Sequence, residues 1–244
     1  MAEVPETPLQ YPVVLDLRGR LAVVVGPGAA AGRKARTLVR HGADVVVIAP
    51  DPTAELLQAE ADGALTLERR RYERGDLEGA SLVVCVSDSS EECATIASEA
   101  ASRGCLAHIK GAPDLSSYTV PSTLRRGALQ IAISTGGVAP AVARRLRAQL
   151  AEEFGEEWAT YLALIADVRR LAEEHDPGSS GDIVEAIADS DVLARLRAGE
   201  SLEPDAIYAE FGPGDEQERA QQDPESEPGA TARGGAGSSS TVEE

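Results

Sequence analysis

Apolar residues in the first half of the chain alternate between short runs rich in valine and longer segments with helical spacing. Helical spacing covers Ala29–His41 and Glu91–Arg103, and a glycine follows each of these segments. The short runs, which we predict as buried strands, are Leu21–Val25, Ala43–Ala49, Leu65–Glu68, Ser81–Val86 and Leu106–Ile109. Such alternation of strands and helices predicts an α/β fold with a doubly wound parallel sheet.

The pattern changes after residue 113. Two strands outside the alternation and three helical segments are predicted, in chain order, at Tyr118–Pro121, Leu129–Ser134, Pro140–Glu153, Glu156–Glu174 and Ile183–Arg197. From residue 212 onward the chain is rich in Gly, Ser, Pro, Glu and Gln, and it cannot bury enough apolar surface to fold. We therefore divide the chain into an α/β domain (1–113), a small middle region (114–150), a helical region (151–211) and a disordered acidic tail (212–244).

The composition of the chain argues against two classes of function, nucleic-acid binding and membrane insertion. The net charge of −18 argues against nucleic-acid binding, because phosphate contacts need a positive field. No apolar run reaches the roughly 18–20 residues that a membrane span needs, and the first residues lack the basic and apolar parts of a signal peptide. We expect a cytoplasmic protein with no membrane partner. Cys85, Cys93 and Cys105 lack metal-ligand spacing, so we expect buried thiols and no metal site.

A glycine-rich turn lies between the first predicted strand and the first predicted helix. It reads Gly26-Pro27-Gly28-Ala29-Ala30-Ala31. In Rossmann-type domains the first glycine allows a tight turn, and the second lets the backbone approach the pyrophosphate of a dinucleotide. The following helix presents free N–H groups to the phosphates. The alternative interpretation is an ordinary turn of an α/β domain.

The end of the second strand carries a signal for the type of dinucleotide. Pro50-Asp51 places a carboxylate where it can bind ribose hydroxyls and repel a 2′-phosphate, which favours NAD over NADP. Arg33, Lys34 and Arg36 are close enough in sequence to oppose that preference.

Several stretches together resemble a known family. They are the segment Tyr11–Leu17, the turn sequence VVVGPGAAAGRKA, the run GADVVVIAP, Pro121 with Arg125-Arg126-Gly127, and Ile131–Pro140, which contains a Ser/Thr-Gly-Gly-x-x-Pro signature. In order and spacing they resemble the precorrin-2 dehydrogenase / sirohydrochlorin ferrochelatase family, which includes the amino-terminal half of siroheme synthase. The resemblance covers about residues 9–173.

This resemblance implies an enzyme that oxidises precorrin-2 to sirohydrochlorin with NAD, with iron insertion as a second activity in some members. It also implies a homodimer, in which residues 114–150 form the dimerisation region. The cofactor contacts that it implies are Gly26, Gly28, Ala29, Ala30, Pro50, Asp51, Ser87 and Asp88. The last two follow the fourth strand, beside the nicotinamide half.

Precorrin-2 carries many carboxylates, so its site needs local positive charge or free N–H groups. Arginine forks and the backbone of a glycine turn ahead of a helix both suit carboxylates. We therefore predict substrate contacts at Arg125, Arg126, Ser134, Thr135, Gly136 and Gly137. A second basic cluster, Arg69–Arg71 with Arg74, is expected instead to form a solvated face paired with acidic residues.

One departure from the family bears on the chemistry. Family members usually carry Asn-x-x-Asp before a proline, and the aspartate is the proposed base or chelation residue. Here Gly111 stands at the aspartate position and His108 at the asparagine position. His108 or Asp114 could serve as the base, although each has an alternative interpretation as a packing or surface residue. The departure also leaves open a catalytically impaired module that senses NAD or binds a tetrapyrrole.

Overall fold

The computed structural model describes residues 10–213 of the chain. Residues 21–109 form a five-stranded parallel sheet flanked by three helices. The elements of this part are β1 Leu21–Val25, α1 Gly28–Arg40, β2 Asp44–Ile48, α2 Ala54–Ala61, β3 Thr66–Glu68, β4 Leu82–Cys85, α3 Ser90–Arg103 and β5 Leu106–Ile109. The strands lie in the order β3-β2-β1-β4-β5. The predicted α/β fold with a Rossmann-type sheet is confirmed.

Both faces of the sheet are buried, as a parallel sheet requires. Alternate residues of β1 point to opposite faces: Ala22 and Val24 join the apolar core under α1 and α2, while Val23 and Val25 join the core under α3. The strand register pairs Val25 with Ile48 of β2 on one side and with Cys85 of β4 on the other. The chain order therefore reverses at β1, and a ligand crevice is expected beyond the carboxyl ends of β1 and β4.

The connection from β3 to β4 contains no regular helix, and two carboxylates hold it in place. Asp76 accepts two hydrogen bonds of 2.8 Å from the Arg70 guanidinium and a third from the amide of Glu73. Glu99 on α3 is only 4% exposed, and it accepts hydrogen bonds from Tyr72 Oη at 2.7 Å and from the Gly75 amide at 2.9 Å. Asp76 and Glu99 thus hold the β3–β4 connection in place, whereas each of the other strand connections in this sheet contains a helix.

The remaining described residues form a small sheet and five helices. These elements are β6 Ser122–Arg126, β7 Leu129–Ile133, α4 Pro140–Glu153, α5 Glu157–His175, α6 Ser180–Ala188, α7 Val192–Arg197 and α8 Pro204–Phe211. Contacts within the chain divide it into two units: the residues up to Leu124 with Ala132–Leu150, and Arg125–Ile131 with the residues from Ala151 on. In the second unit, the buried face of α5 includes Leu164 and Val168 and packs against α6, α7 and α8.

One predicted strand is wrong. Tyr118–Pro121 has no strand structure, and β6 begins one residue later, at Ser122. The amide of Tyr118 donates to the carbonyl of Ala107, its ring packs on the sheet core, and Pro121 has no N–H to give to a ladder. Two helices were not predicted, α2 and α8. Both are short, and α2 begins with a cap of Thr53, whose Oγ1 accepts from the Leu56 amide.

Two further expectations from the sequence concern the acidic tail and membrane-spanning helices. The predicted disordered tail, residues 212–244, lies outside the described residues apart from its first two. Between residues 10 and 213, no helix combines the length and apolar character that crossing a bilayer requires.

The Glu99 carboxylate supplies a stability prediction. Burial alone would raise its pKa, but hydrogen bonds from Tyr72, the Gly75 amide and Arg103 outweigh burial and hold the pKa below its ordinary value. Replacing Glu99 with Gln removes the charged acceptor, so we expect the free energy of unfolding in urea to fall by about 2 kcal/mol. Because the folded pKa is lowered, this loss should be full above the ordinary pKa of 4.5 and shrink as the pH falls below it.

The matched control is Glu91→Gln, at an exposed position of the same helix. Its cost should stay within about 0.5 kcal/mol. Equal losses in the two variants would show that the Glu99 hydrogen bonds do not hold the β3–β4 connection.

Candidate functional site

Gly26 follows β1 and brings its backbone against the chain that leaves β4. Its φ is +125°, and a Cβ at this position would lie 2.8 Å from the Ser87 nitrogen and 2.9 Å from the Val86 carbonyl carbon. Its amide donates to the carbonyl of Ile48 at the end of β2. The three strand ends therefore meet here at a separation that a side chain would prevent.

Gly28 opens α1 and faces open space. Its φ is +74°, and a Cβ built on it would have no neighbour within 4 Å among residues 10–213. Pro27, at the N-cap position, makes no side-chain hydrogen bond to the helix, and the first turn holds no acidic residue. Within the described part of the chain, no side-chain acceptor therefore caps the amino end of α1, which is the arrangement that receives a phosphate.

A cavity of about 240 Å³ adjoins this turn, and we call it the glycine-turn cavity. It is lined by Val25, Gly26, Pro27, Ile48, Pro50, Arg70, Arg71, Tyr72, Ser87, Asp88, Ser89 and Glu92. Of the eight predicted cofactor contacts, Gly26, Pro50, Ser87 and Asp88 line it. The structure thus brings together residues from the ends of β1, β2 and β4, as a dinucleotide site of this fold requires.

The other four predicted cofactor contacts do not line the glycine-turn cavity. Gly28, Ala29 and Ala30 lie in the first turn of α1, beside Pro27 of the cavity wall. Asp51 is exposed, one residue beyond the lining residue Pro50. A role for these residues in cofactor binding stays a prediction.

Sequence reasoning missed one wall of this cavity, Arg70 to Tyr72. As expected, Arg69 and Arg70 pair with acidic residues: Arg69 lies 2.6 Å from Glu60, and Arg70 binds Asp76. Arg70 and Arg71 nevertheless line the cavity. The signal was the position of the cluster directly after β3, whose carboxyl end lies at the same sheet edge as the glycine turn.

A second cavity, of about 280 Å³, lies at the ends of β4 and β5, and we call it the Gly111 cavity. It is lined by Ser87, Asp88, Ser90, Cys93, Lys110, Gly111, Ala112 and Leu115. Ser87 and Asp88 therefore line both cavities. Lys110 Nζ lies 3.6 Å from Asp88 Oδ1, and no described residue has an atom within 4 Å of a Cβ built on Gly111.

The two predicted candidates for a base lie elsewhere. His108 on β5 is partly buried, its ring contacts the ring of Tyr118, and its Nδ1 is buried without a hydrogen-bond partner among the described residues. Burial and the nearby charge of Lys34 lower the pKa of His108. Asp114 is exposed in a single turn of 3₁₀ helix, Pro113–Leu115. Neither residue lines either cavity, and their catalytic role stays a prediction.

Three backbone amides of the predicted substrate turn, residues 134–139, donate hydrogen bonds within the turn. The Gly136 amide donates to Ser134 Oγ, the Ala139 amide to Thr135 Oγ1 and the Val138 amide to the Thr135 carbonyl. Those three N–H groups therefore have acceptors within the turn. The Gly137 amide is not one of them, so it is a candidate donor to a carboxylate there.

The two predicted substrate arginines differ in their surroundings. The Arg126 guanidinium donates to the carbonyls of Phe154 and Ala151 and lies 3.4 Å from Glu156, so it caps the end of α4. Arg125 is exposed and donates to Gln130 Oε1 across the β6–β7 pair. Substrate binding by these arginines also stays a prediction.

Across residues 10–213, no three or more His, Cys, Asp or Glu side chains come together in a way that could hold a metal ion. The three cysteines are buried and unbridged, as the sequence predicts.

Two family models match the chain in succession. Residues 13–122 match a family described as "Putative NAD(P)-binding", and residues 126–153 match one described as "Sirohaem biosynthesis protein central". The first match contains every residue of both cavities, and the second begins within β6.

Several curated relatives are siroheme synthases. The chain is 32% identical to the siroheme synthase of Pseudomonas paraeruginosa over 201 residues, which are 82% of this chain and 43% of that protein. It is 32% identical to that of Methylobacillus flagellatus over 67% of this chain and 35% of that one. Siroheme synthase 1 of Halorhodospira halophila is 38% identical over 57% of this chain and 29% of its own length. The chain thus spans less than half the length of these relatives.

A solved structure named "SirC, precorrin-2 dehydrogenase" has a similar fold. The TM-score is 0.70 at 24% sequence identity, and the match covers 83% of this chain and 98% of that chain. At this identity the likeness establishes the shared fold.

The close approach at Gly26 supplies a second stability prediction. A methyl group there meets backbone atoms, which cannot rotate away, and the φ of +125° is unfavourable for any other residue. We expect Gly26→Ala to lower the free energy of unfolding by about 3 kcal/mol. Gly79→Ala, at φ +73° with no neighbour within 4 Å, is the control and should cost about 1 kcal/mol. Similar costs at the two positions would rule out the close approach.

Proposed function

We propose that this chain, which belongs to the family that forms the amino-terminal part of siroheme synthase, oxidises precorrin-2 to sirohydrochlorin with NAD as the electron acceptor. Both successive family models and the siroheme synthase relatives support this proposal. The observation that carries it is the glycine turn, where Gly26 closes on the β4 backbone and Gly28 faces open space beside a cavity.

The residues of the turn fit a dinucleotide. The uncapped amino end of α1 would receive the pyrophosphate, and Gly28 leaves room for it. Ser87 and Asp88 would lie beside the nicotinamide half, and Pro50 and Asp51 beside the adenosine ribose. The cofactor supplies the hydride acceptor, while the protein supplies position and electrostatics.

One feature of the structure supports NAD over NADP. Arg36, which could attract a 2′-phosphate, forms an ion pair with Glu55. With Arg36 paired in this way, we propose that the Asp51 carboxylate favours an unmodified ribose. Arg33 and Lys34 are the nearby cations that oppose this preference.

The substrate proposal rests on charge. A chain of net charge −18 repels a polycarboxylate unless local cations and amides receive it. Lys110 in the Gly111 cavity and the Gly137 amide, which belong to the same unit, are the groups that we propose for this role. Substrate binding by Arg125, in the other unit, stays a prediction from the sequence. The cytoplasmic location expected from the sequence stays a prediction.

The function is tested with purified protein, precorrin-2 and NAD. We expect NADH and sirohydrochlorin to appear together in equal amounts, followed by their absorbance, with a lower kcat/KM for NADP. A parallel reaction with sirohydrochlorin and ferrous ion tests iron insertion, the second activity that the family implies. Absence of precorrin-2 turnover would contradict the proposal.

The second candidate function is a module that senses NAD or binds a tetrapyrrole without catalysis. Gly111 favours it, because this position provides no side chain where the family usually has an aspartate. Under this alternative, NAD would bind in calorimetry while precorrin-2 stayed unchanged.

The placement of the cofactor gives a binding prediction. A leucine at position 28 would fill the space in front of α1, so we expect Gly28→Leu to weaken NAD binding more than tenfold in isothermal titration calorimetry. Gly63→Leu is the control, because Gly63 has a similar φ of +70° and open surroundings but lies between α2 and β3. It should bind NAD like the unmodified protein. Unchanged affinity in Gly28→Leu would place the cofactor elsewhere.

We also propose a homodimer. Three large apolar residues at and before α4 are exposed: Val138 by 75%, Val142 by 51% and Leu146 by 41%. Val142 and Leu146 are four residues apart and share one face of the helix. An apolar surface of this kind is typical of a subunit interface.

Light scattering after size exclusion measures the oligomeric state. The unmodified chain should have the mass of a dimer, and the double variant Val142→Glu/Leu146→Glu should shift towards a monomer. The control Ala148→Glu places a single glutamate at an exposed position on another face of α4 and should stay dimeric, and the single variant Val142→Glu, which carries the same added charge as this control, should shift towards a monomer. A monomer in the unmodified chain would refute the dimer.

A further inference from the structure

The two cavities meet at the loop between β4 and α3. Both are lined by Ser87 and Asp88, whereas the glycine turn lines only the first and Lys110 and Gly111 only the second. A molecule in the Gly111 cavity would therefore face a cofactor in the glycine-turn cavity across these two residues.

Ionisable groups in the wall of the Gly111 cavity are few. They are the Asp88 carboxylate, the Lys110 ammonium and the Cys93 thiol. The Cys93 thiol is buried and lies 3.5 Å from the Ser87 carbonyl, which accepts from it, and 3.5 Å from the Cys85 sulfur. Asp88 is the carboxylate in this wall, and it is exposed.

A general base must come within hydrogen-bond distance of the proton that it takes. His108 and Asp114 are absent from the wall of both cavities, and the unpartnered Nδ1 of His108 is buried beside Tyr118. Asp88 is the one of these three residues that lines the Gly111 cavity, so its carboxylate is the one placed to reach a molecule bound there.

We propose that Asp88 is the general base of the oxidation, a step that rests on the proposed function. The substrate is oxidised by two electrons: one hydrogen leaves as hydride to NAD, and a second leaves as a proton. The Asp88 carboxylate accepts this proton and passes it to water. Lys110, 3.6 Å away, orients the carboxylate and offers a cation to a carboxylate of the substrate.

The test compares Asp88→Asn with the unmodified chain in precorrin-2 turnover and in NAD binding. Removing a general base lowers the rate by about 10²–10⁴-fold, so we expect kcat to fall at least about 100-fold. Asp88 also lines the glycine-turn cavity, so we expect the NAD dissociation constant in calorimetry to rise, but by less than tenfold, because the glycine turn receives the charge of the cofactor. The control Glu91→Gln removes an exposed carboxylate from the same helix region and should leave kcat and affinity unchanged.

Two rescue experiments separate proton transfer from a structural role. Added formate should restore part of the kcat of Asp88→Ala, because a small carboxylate can enter the space that the side chain leaves. The double variant Asp88→Asn/Gly111→Asp should recover at least tenfold over Asp88→Asn, since position 111 opens on the same cavity without a neighbouring atom. Aspartate tolerates the positive φ of this position better than most residues.

Turnover by Asp88→Asn within threefold of the unmodified chain would overturn the assignment while the proposed function stands. A 100-fold loss in Asp114→Asn without one in Asp88→Asn would transfer the role to Asp114. A weakened NAD affinity that accounts for the whole loss in Asp88→Asn would make this residue a cofactor contact and not a base. If the unmodified chain binds NAD but does not oxidise precorrin-2, the proposed function fails and the assignment fails with it.

Discussion

The contact between Gly26 and the backbone of Ser87 is the constraint on which the site depends. A Cβ on Gly26 would lie 2.8 Å from the Ser87 nitrogen, so the chain after β1 lies too close to the chain after β4 for a side chain at position 26. This contact places the turn into α1 and the loop into α3 side by side at the switch point of the sheet. The loop between β4 and α3 carries Asp88 and lines both cavities. The backbone contact at Gly26 therefore sets the geometry of the glycine-turn cavity and of the Gly111 cavity.

The same edge of the sheet is completed by a segment without regular structure. Arg70 to Tyr72 form a wall of the glycine-turn cavity, yet they lie in a connection with no regular helix. Glu99 holds Tyr72 from α3, and Asp76 holds Arg70 from within the connection. Buried charged hydrogen bonds are strong only when all partners are present, so this wall depends on one acceptor remote in sequence, Glu99, and on one nearby, Asp76.

The sequence predicts the parts of this protein whose causes are local. The apolar run around Val23 predicts a buried strand from neighbouring residues alone. The turn at Gly26 is predicted in the same way, because a predicted strand precedes it and a predicted helix follows it. The hydrogen bond from Tyr72 to Glu99 spans 27 residues and leaves no periodic signal. For the same reason, the family resemblance implies a place for Asp88 beside the cofactor, but the sequence carries no signal that Asp88 also lines a second cavity.

The position of Gly111 explains how chemistry can persist where a family residue is missing. Catalysis requires a carboxylate within reach of the reacting bond, not at one place in the sequence. Gly111 and Asp88 come from different strand ends but line the same cavity, so a side chain lost from one loop can be replaced in function by one on the other. Lys110 adds what an acidic chain otherwise lacks here, a cation in the cavity wall. If Asp88 is the base, Lys110 would both orient it and bind a carboxylate of the substrate.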